Sequence, residues 1–176
     1  MLLGAVMLAG GAAALTRFAR GSKSGAGLAP LLSGQRFALL EQMADLIIPA
    51  TDTPGAIGVG VPGFIRDLLA DWGSEQSRAE IVSVLDEIEK RSWASSGASF
   101  LELPVEQRFE LMRKYDETSV TSHDPAYRKF KQLVLLGYYH SEIGATQELR
   151  FELVPGAWRS CLPLNEVGRA SAFWTG

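Results

Sequence analysis

The sequence predicts an all-α fold, and three observations lead to this prediction. From residue 33 onward, apolar residues recur at intervals of three and four, which is the spacing of one face of an α-helix. Pro and Gly interrupt this spacing repeatedly, as expected for helices joined by short loops. The alternating pattern of paired strands and the strand-helix-strand repeat of a parallel sheet are both missing. We therefore expect one compact domain of about five helices.

Composition limits the classes of function that the chain can have. With 176 residues, of which 47% are hydrophobic and 21% are charged, the chain is typical of one globular domain. The net charge is -3, and the Lys and Arg residues are scattered among acidic residues. Since nucleic-acid binding needs a basic patch or stripe, nucleic acid is a poor partner for this chain.

Residues 1–32 are expected to lie outside the helical domain, which we place at residues 33–176. Residues 1–15 form an apolar run rich in Leu, Ala and Gly, and a Gly/Ser-rich spacer follows. The run is shorter than the roughly 20 apolar residues of a membrane helix, but its length fits the apolar core of an export signal. We hypothesise that the basic pair of such a signal lies just upstream of Met1. A buried hydrophobic helix is the alternative, because a short apolar run fits both.

The first three helices are predicted from their start signals and their apolar faces. The first follows Ser33 and stops at Pro49, the second begins at Pro62, and the third follows a Gly-Ser break at residues 73–74. The inner faces are predicted to consist of Phe37, Leu40, Met43, Ala44 and Ile47 in the first helix, Phe64, Ile65, Leu68, Leu69 and Trp72 in the second, and Ile81, Val84, Leu85 and Ile88 in the third.

The segment 51–60, between the first two helices, is predicted to be an irregular loop, because Pro54 and three glycines break both helical and strand periods. We expect Asp52, Pro54 and Gly55 to shape this loop. Asp52 is predicted to cap the following turn through hydrogen bonds to the backbone, as Asp side chains commonly do in turns.

The last two helices are predicted to begin at Pro104 and at Asp124-Pro125, where Asp124 caps the free amides and Pro125 occupies the first turn. The fifth helix is expected to run to Ile143, with Gly144 as a left-handed terminator. An extended irregular arm should begin at about residue 145, and residues 149–154 could pair as a short strand. The inner faces are predicted to be Phe109, Met112 and Tyr115, then Tyr127, Phe130, Leu133, Val134 and Tyr138.

The search for catalytic, cofactor-binding or metal-binding residues in this chain predicts none. His123 and His140 flank a predicted helix of about 27 Å, so they cannot easily share a metal ion. Ser141 and Glu142 stand beside His140, but adjacent helical positions point in different directions. The glycines of the 51–60 loop do not match a nucleotide-binding motif. A stand-alone hydrolase that uses His140, or thiol chemistry at Cys161, is the alternative.

Two tracts carry a resemblance to a known family. The first reads Leu-Ile-Ile-Pro-Ala-Thr-Asp-Thr-Pro-Gly-Ala at residues 46–56 and Gly-Val-Pro-Gly-Phe-Ile at residues 60–65. The second contains Gly-Tyr-Tyr at 137–139, Ser-Glu-Ile-Gly at 141–144, Val-Pro-Gly at 154–156 and Cys-Leu-Pro-Leu at 161–164. In order and spacing these motifs resemble the gluconate 2-dehydrogenase subunit 3 family, the small subunit of bacterial flavin-dependent alcohol and sugar dehydrogenases, over about residues 33–165.

The resemblance implies a noncatalytic accessory subunit that binds, stabilises and escorts for export a large subunit of the glucose-methanol-choline (GMC) oxidoreductase class. In that family the large subunit holds FAD and oxidises a carbohydrate or alcohol hydroxyl, and a cytochrome c with haem c often takes the electrons. The family typically bears a twin-arginine leader, which implies a periplasmic complex attached to the inner membrane. A membrane-tethered scaffold protein held by residues 1–15 is a further alternative.

The resemblance also gives a role to Cys161, the only cysteine of the chain. An exported chain with one thiol has no internal partner for it, so Cys161 becomes a candidate for an interchain disulfide or an interface thiol. Apolar and aromatic residues of the C-terminal tract are predicted to be anchors for the partner subunit. They are Tyr138, Tyr139, Trp158, Leu162, Pro163, Phe173 and Trp174; alternatively, Trp158 and Leu162 cover the helical core.

Overall fold

The computed structural model describes residues 32, 34–151, 161 and 163–170, and these residues form helices joined by short loops. The helices are α1 (Gln35–Ile47), α2 (Val61–Asp71), α3 (Glu75–Ser96), α4 (Val105–Thr121), α5 (Pro125–Tyr139) and the short α6 (Leu164–Val167). A 3₁₀ turn covers Phe100–Glu102, a π-helical turn covers Gly144–Glu148, and no strand occurs within these ranges. The predicted all-α fold is confirmed.

One hydrophobic core lies between the five long helices, with α5 in contact with each of the other four. All four predicted inner residues of α3 are buried, as are Leu40, Met43 and Ala44 of α1. In α5, the side chains of Tyr127, Phe130, Val134 and Tyr138 are buried at helical spacing. The apolar periodicity of the sequence therefore identified the core faces of α1, α3 and α5.

Three residues that we predicted to face the core are exposed, and the first of them, Phe64 of α2, is 39% exposed. Trp72 is 85% exposed because α2 ends at Asp71 and Trp72 follows as the C-cap, beyond the helix that would carry it inward. Phe109 is 51% exposed, whereas Met112, Tyr115 and Ser119 form the buried stripe of α4. At 100° per residue, Phe109 lies about 90° around the helix from the centre of that stripe.

Side chains stabilise the helix ends that direct α3 and α5. The Asp124 carboxylate accepts hydrogen bonds from the backbone amides of Ala126, at 2.9 Å, and Tyr127, at 3.3 Å, which confirms the predicted cap. Arg78 of α3 donates to the carbonyl oxygens of Leu69 and Ala70, both at 2.9 Å. Arg78 thus adds side-chain hydrogen bonds to two carbonyls at the end of α2 and links α3 to that end.

The C-terminal end of α5 differs from the prediction. The helix ends at Tyr139 instead of Ile143, and Gly144 does not have the positive φ of a left-handed terminator. The Ser141 hydroxyl donates to the Tyr138 carbonyl at 2.6 Å and accepts from the Gly144 amide at 3.0 Å. These two bonds replace the regular helical hydrogen bonds, and the chain continues into the π-helical turn.

The arm that we predicted to be extended from about residue 145 starts within the π-helical turn, and α6 follows further on. Of the strand predicted at 149–154, residues 152–154 lie outside the described residues. Within the described part Arg150 is a bridge residue, and its amide donates to the Ala170 carbonyl at 2.8 Å. None of the helices in the described ranges has the length and apolarity needed to cross a membrane.

Candidate functional site

The loop between α1 and α2 has a fixed shape, because its backbone groups bond to one another. The amide of Ala56 donates to the Ile48 carbonyl at 2.9 Å, and the amide of Val61 donates to the Ala56 carbonyl at 3.0 Å. Within the tip, the amide of Thr51 donates to the carbonyl of Thr53 at 3.0 Å. The loop is therefore a rigid turn rather than a loose connection.

Gly55 is required by this loop because the backbone folds back upon it. A Cβ atom at position 55 would lie 2.5 Å from the nitrogen of Ala50, 2.7 Å from the carbonyl carbon of Pro49 and 2.8 Å from the oxygen of Ile48. All three are backbone atoms, which cannot rotate away as a side chain can. The absence of a side chain at Gly55 thus permits the close approach of residues 48–50.

Tyr138 joins this loop to the end of α5. Its phenolic hydroxyl donates to the Pro54 carbonyl at 3.1 Å and lies 3.4 Å from the hydroxyl of Thr53, which in turn donates to the Glu148 carboxylate. Tyr138 is 2% exposed. Its side chain therefore presents no surface to another protein, and our prediction of Tyr138 as a partner anchor is wrong; its contacts are internal.

Asp52 and Pro54 act in this loop in ways that differ from the prediction for Asp52. The Asp52 carboxylate is exposed and accepts a hydrogen bond from the neighbouring Thr51 hydroxyl at 3.0 Å, instead of capping backbone amides. Pro54 contributes its carbonyl oxygen to Tyr138. The hydrogen bond from Tyr138 to the loop therefore ends at a backbone atom of the Pro54-Gly55 pair.

The outer face of α5 is apolar in the C-terminal half of the helix, as the inner face is. Leu135, Leu136 and Tyr139 are 40%, 41% and 40% exposed, and the Tyr139 ring meets the Tyr138 ring edge-on with centroids 5.4 Å apart. On the α2 side, Gly137 is buried against Phe64, whose Cδ1 would lie 2.8 Å from a Cβ at position 137. The C-terminal half of α5 thus has apolar groups on two sides.

A groove of about 400 Å³ runs between the end of α4 and α5. Its walls include Val120 of α4 and Leu135 of α5, and Tyr127 also lines it. Arg128 and Lys131 bring charge to it, and Lys131 is paired with the Asp116 carboxylate at 2.7 Å. The sequence did not predict this groove, although Leu135 and Tyr139, four positions apart, mark one helix face.

His123, beside this groove, holds an unusual backbone conformation. Its φ is 56°, in the left-handed region. The amide of Asp124 donates to the Ser119 carbonyl at 2.9 Å, and the amide of His123 donates to the Val120 carbonyl at 3.2 Å. This is the hydrogen-bond pattern of a Schellman motif, in which Gly is the usual residue at the left-handed position. The short connection between α4 and the Asp124-Pro125 start is the sequence signal for such a turn.

Beneath the groove, two tyrosine rings join α4 to α5. The rings of Tyr115 and Tyr127 lie 4.7 Å apart, and the guanidinium of Arg91 lies 4.6 Å from the centroid of the Tyr115 ring. Burial raises the pKa of Tyr115 to about 12. Burial and a hydrogen bond to the Asp116 carboxylate also raise the pKa of Tyr127. Both phenols therefore keep their protons well above the pH at which an exposed tyrosine loses its own.

The residues that suggested a hydrolase are not assembled for one. Nδ1 of His140 lies 3.0 Å from the Leu136 carbonyl, while the Ser141 hydroxyl bonds to backbone atoms of Tyr138 and Gly144. His123 is also exposed, and its Nδ1 lies 3.2 Å from the Thr121 carbonyl. Among the residues that the structure describes, no group of three His, Cys, Asp or Glu could hold a metal ion.

Of the predicted C-terminal anchors, Tyr139, Cys161 and Pro163 are described, and all three are exposed. Trp158, Leu162, Phe173 and Trp174 lie outside the described residues, so the predictions made for them stay predictions. The interchain role of Cys161 likewise stays a prediction.

The fold and the two joined segments define a small all-α domain with one rigid end, at which the 46–65 tract is bonded to the 137–148 tract. Comparison with protein families gives a match to the model described as gluconate 2-dehydrogenase subunit 3 over residues 34–156. This match covers more than half of the chain, and the chain belongs to that family, the subunits of a gluconate 2-dehydrogenase. Neither curated proteins nor solved structures gave a match.

We predict that Tyr138→Phe lowers the free energy of unfolding by about 1 kcal/mol, because the Tyr138 hydroxyl bonds to the Pro54 carbonyl in a part-buried site. Urea denaturation measures this change. Tyr139→Phe is the matched control, since the Tyr139 side chain is exposed and its hydroxyl has no bond among the described residues; we expect a change within about 0.5 kcal/mol. Equal effects of the two substitutions would contradict the internal role of Tyr138.

Proposed function

We propose that this chain is the noncatalytic accessory subunit of a FAD-dependent dehydrogenase of the GMC class, which it binds and stabilises. The observation that carries the proposal is family membership over residues 34–156. The motif residues of this match include the rigid 46–65 tract and the Tyr138 link, which hold a surface in one shape. A preformed surface supports a binding role, because little conformational freedom is lost when a partner docks.

In the proposed complex, the large subunit holds FAD and oxidises a hydroxyl of a sugar, glycoside or polyol. The substrate is of the kind oxidised by a glucose or glucoside 3-dehydrogenase, and a subunit with haem c takes the electrons. Cofactors carry this redox chemistry, so the part of the present chain is to bind and position the subunit that contains FAD.

The chain is further proposed to escort the large subunit to the periplasm, where the complex is attached to the inner membrane. The apolar core of residues 1–15 supports this role, because it has the length of an export signal. Deletion of residues 1–32 should leave both subunits in the cytoplasmic fraction after cell fractionation. If the large subunit still reaches the periplasm with the deletion variant, the escort role is wrong. If the native chain is found in membranes without the large subunit, the tethered scaffold is favoured.

Co-expression tests the binding role. A flavoprotein dehydrogenase from the neighbouring reading frames is produced with and without this chain, and its soluble yield, flavin absorbance and sugar oxidation are measured. We expect soluble, yellow, active enzyme only with this chain, and no turnover by this chain alone. Equal yield and activity without it would contradict the proposal. Substrate turnover by the purified chain that is lost in His140→Ala would favour the hydrolase.

The thiol of Cys161 is proposed to bond to a cysteine of the large subunit. Cys161 is exposed, which an interchain disulfide requires. Oxidation in the periplasm would form the bond between the two thiols, with the oxidising machinery of that compartment as the electron acceptor. Electrophoresis of the complex without reductant should give a band of the combined mass, which Cys161→Ser abolishes. Two separate bands from the native complex would show that the disulfide is absent.

A further inference from the structure

We infer that the catalytic subunit docks on the outer face of α5 and inserts one apolar side chain, flanked by a carboxylate, into the groove between α4 and α5. We call this area the α5 surface and define it by Val120, Arg128, Leu135, Leu136 and Tyr139. The inference rests on the proposed function, since it names the place where the proposed partner binds. Three observations support it: the exposed apolar residues of α5, the shape of the groove, and the guanidinium of Arg128 at its edge.

The first support is the apolar character of the C-terminal half of α5 on opposite sides. Its inner face consists of buried residues, among them Tyr127, Phe130 and Val134. On the outer face, Leu135, Leu136 and Tyr139 are each about two-fifths exposed. A helix at the surface of a domain normally has polar residues on its outer face, and a helix that is apolar all round is normally buried. The family to which the chain belongs consists of subunits of a larger enzyme, so a partner protein is the natural cover for this face.

The second support is the groove itself. Val120, at the end of α4, is 60% exposed, and together with Leu135 it forms apolar walls for a space of about 400 Å³. Pockets that bind ligands range from roughly 300 to 1,000 Å³, so this space can receive one large apolar side chain. Aromatic and aliphatic anchors in such pockets commonly carry most of the affinity of a protein interface.

The third support is the charge at the groove. Lys131 is paired with Asp116 at 2.7 Å, and Asp124 bonds to two backbone amides at the start of α5. The side chain of Arg128 has neither a hydrogen bond nor an ion pair with any residue that the structure describes, and it lines the same groove. A guanidinium in this position is suited to a carboxylate, with which it can form two parallel hydrogen bonds. The docking segment should therefore carry Asp or Glu beside its apolar anchor.

The principal test uses a pair of double variants on exposed apolar positions. Val120→Gln with Leu135→Gln changes both walls of the groove. Val105→Gln with Phe109→Gln is the matched control, because these residues are 58% and 51% exposed at the other end of α4. Val105 lies fifteen positions from Val120, or about 22 Å along the helix. Each tagged variant is co-expressed with the flavoprotein dehydrogenase, and the catalytic subunit recovered per tagged chain is measured.

We expect the groove variant to recover about tenfold less catalytic subunit than the native chain, and the control to remain within about twofold, since each tenfold corresponds to 1.4 kcal/mol at the interface. Equal recovery with both variants, while the native chain binds, would overturn the docking site and leave the proposed function intact. Failure of the native chain itself to recover any catalytic subunit would overturn both.

Two measurements on the isolated chain separate other occupants of the groove. Thermal unfolding of the groove variant should match that of the control; a selective loss of stability would mean that another part of this chain fills the groove, which overturns the inference. Size-exclusion chromatography should give a monomer for the native chain. A dimer that the groove variant abolishes would assign the surface to a second copy, which also overturns the inference.

A charge variant keeps the test valid if the groove variant fails to fold. Arg128→Gln removes the guanidinium at the groove, and Lys114→Gln removes an exposed cation of α4 that does not line the groove. We expect Arg128→Gln to lower recovery about fivefold and to reduce its dependence on salt, because the charged pair with the partner is lost. Lys114→Gln should change neither. Identical recovery and salt dependence with both substitutions would contradict the acidic flank.

Discussion

Gly144→Ala is expected to lower the free energy of unfolding by about 3 kcal/mol, at the upper end of the range for overpacking. A Cβ at this position would overlap the carbonyl oxygen of Tyr138 and would lie 2.8 Å from its carbonyl carbon and 3.0 Å from the Cα of Tyr139. Because these are backbone atoms, the strain can be relieved only if the π-helical turn opens. Opening this turn also breaks the hydrogen bond between Thr53 and Glu148.

Gly63→Ala is the control for this prediction. Gly63 lies within α2, no atom comes within 4 Å of its virtual Cβ, and its φ is not positive. Alanine favours the helix over glycine, so we expect a gain of about 0.5–1 kcal/mol. Urea denaturation followed by circular dichroism measures both variants. If Gly144→Ala is as stable as the native chain, this result would contradict a close contact between Gly144 and the Tyr138 backbone.

Raising the pH from 10 to above 12 is expected to remove about 3 kcal/mol of stability through Tyr115 alone, since its pKa is raised from 10.0 to about 12 and one pKa unit corresponds to about 1.4 kcal/mol. Below pH 10 the phenol is protonated in both states, so stability does not depend on it. Between pH 10 and 12 the unfolded chain releases the proton while the folded chain retains it. The free energy of unfolding therefore falls with rising pH, and Tyr127, with a raised pKa of its own, adds to this loss.

Denaturation curves at several alkaline pH values, together with tyrosinate absorbance, measure this effect. Tyr115→Phe should reduce the slope of stability against pH, since the titrating group is gone and the ring remains. Tyr139→Phe should leave the slope unchanged, because the Tyr139 side chain is exposed. A native slope that is unaffected by Tyr115→Phe would contradict the role of the buried phenol.

The long helices could be predicted from the sequence because their signals are local. The inner face of α3 follows from four residues at helical spacing, and the start of α5 follows from Asp124 and Pro125 together. The end of α5 could not be predicted in this way. Gly144 has the residue type of a left-handed terminator, but its neighbour Ser141 supplies hydrogen bonds that lead to a π-helical turn instead. Residue type alone does not distinguish these two endings.

The joined tracts and the groove depend on contacts that are distant in the sequence. Tyr138 bonds to Pro54 across 84 residues, and Thr53 bonds to Glu148 across 95. The sequence placed Tyr138 on the inner face of its helix, and a buried tyrosine needs a partner for its hydroxyl, but it could not say which partner. The groove likewise depends on how the turn at His123 sets α4 against α5.

The neighbouring residues Tyr138 and Tyr139 tie the outward direction of one side chain to the internal contacts of the other. The hydroxyl of Tyr138 bonds to the loop between α1 and α2, and this bond fixes the rotation of α5 about its axis. With α5 in this rotation, Tyr139 at the next position faces away from the core and is 40% exposed. The two ends of this arrangement are adjacent in the sequence, so a change in the loop at Pro54 reaches the outer face of α5 through a single pair of neighbouring residues.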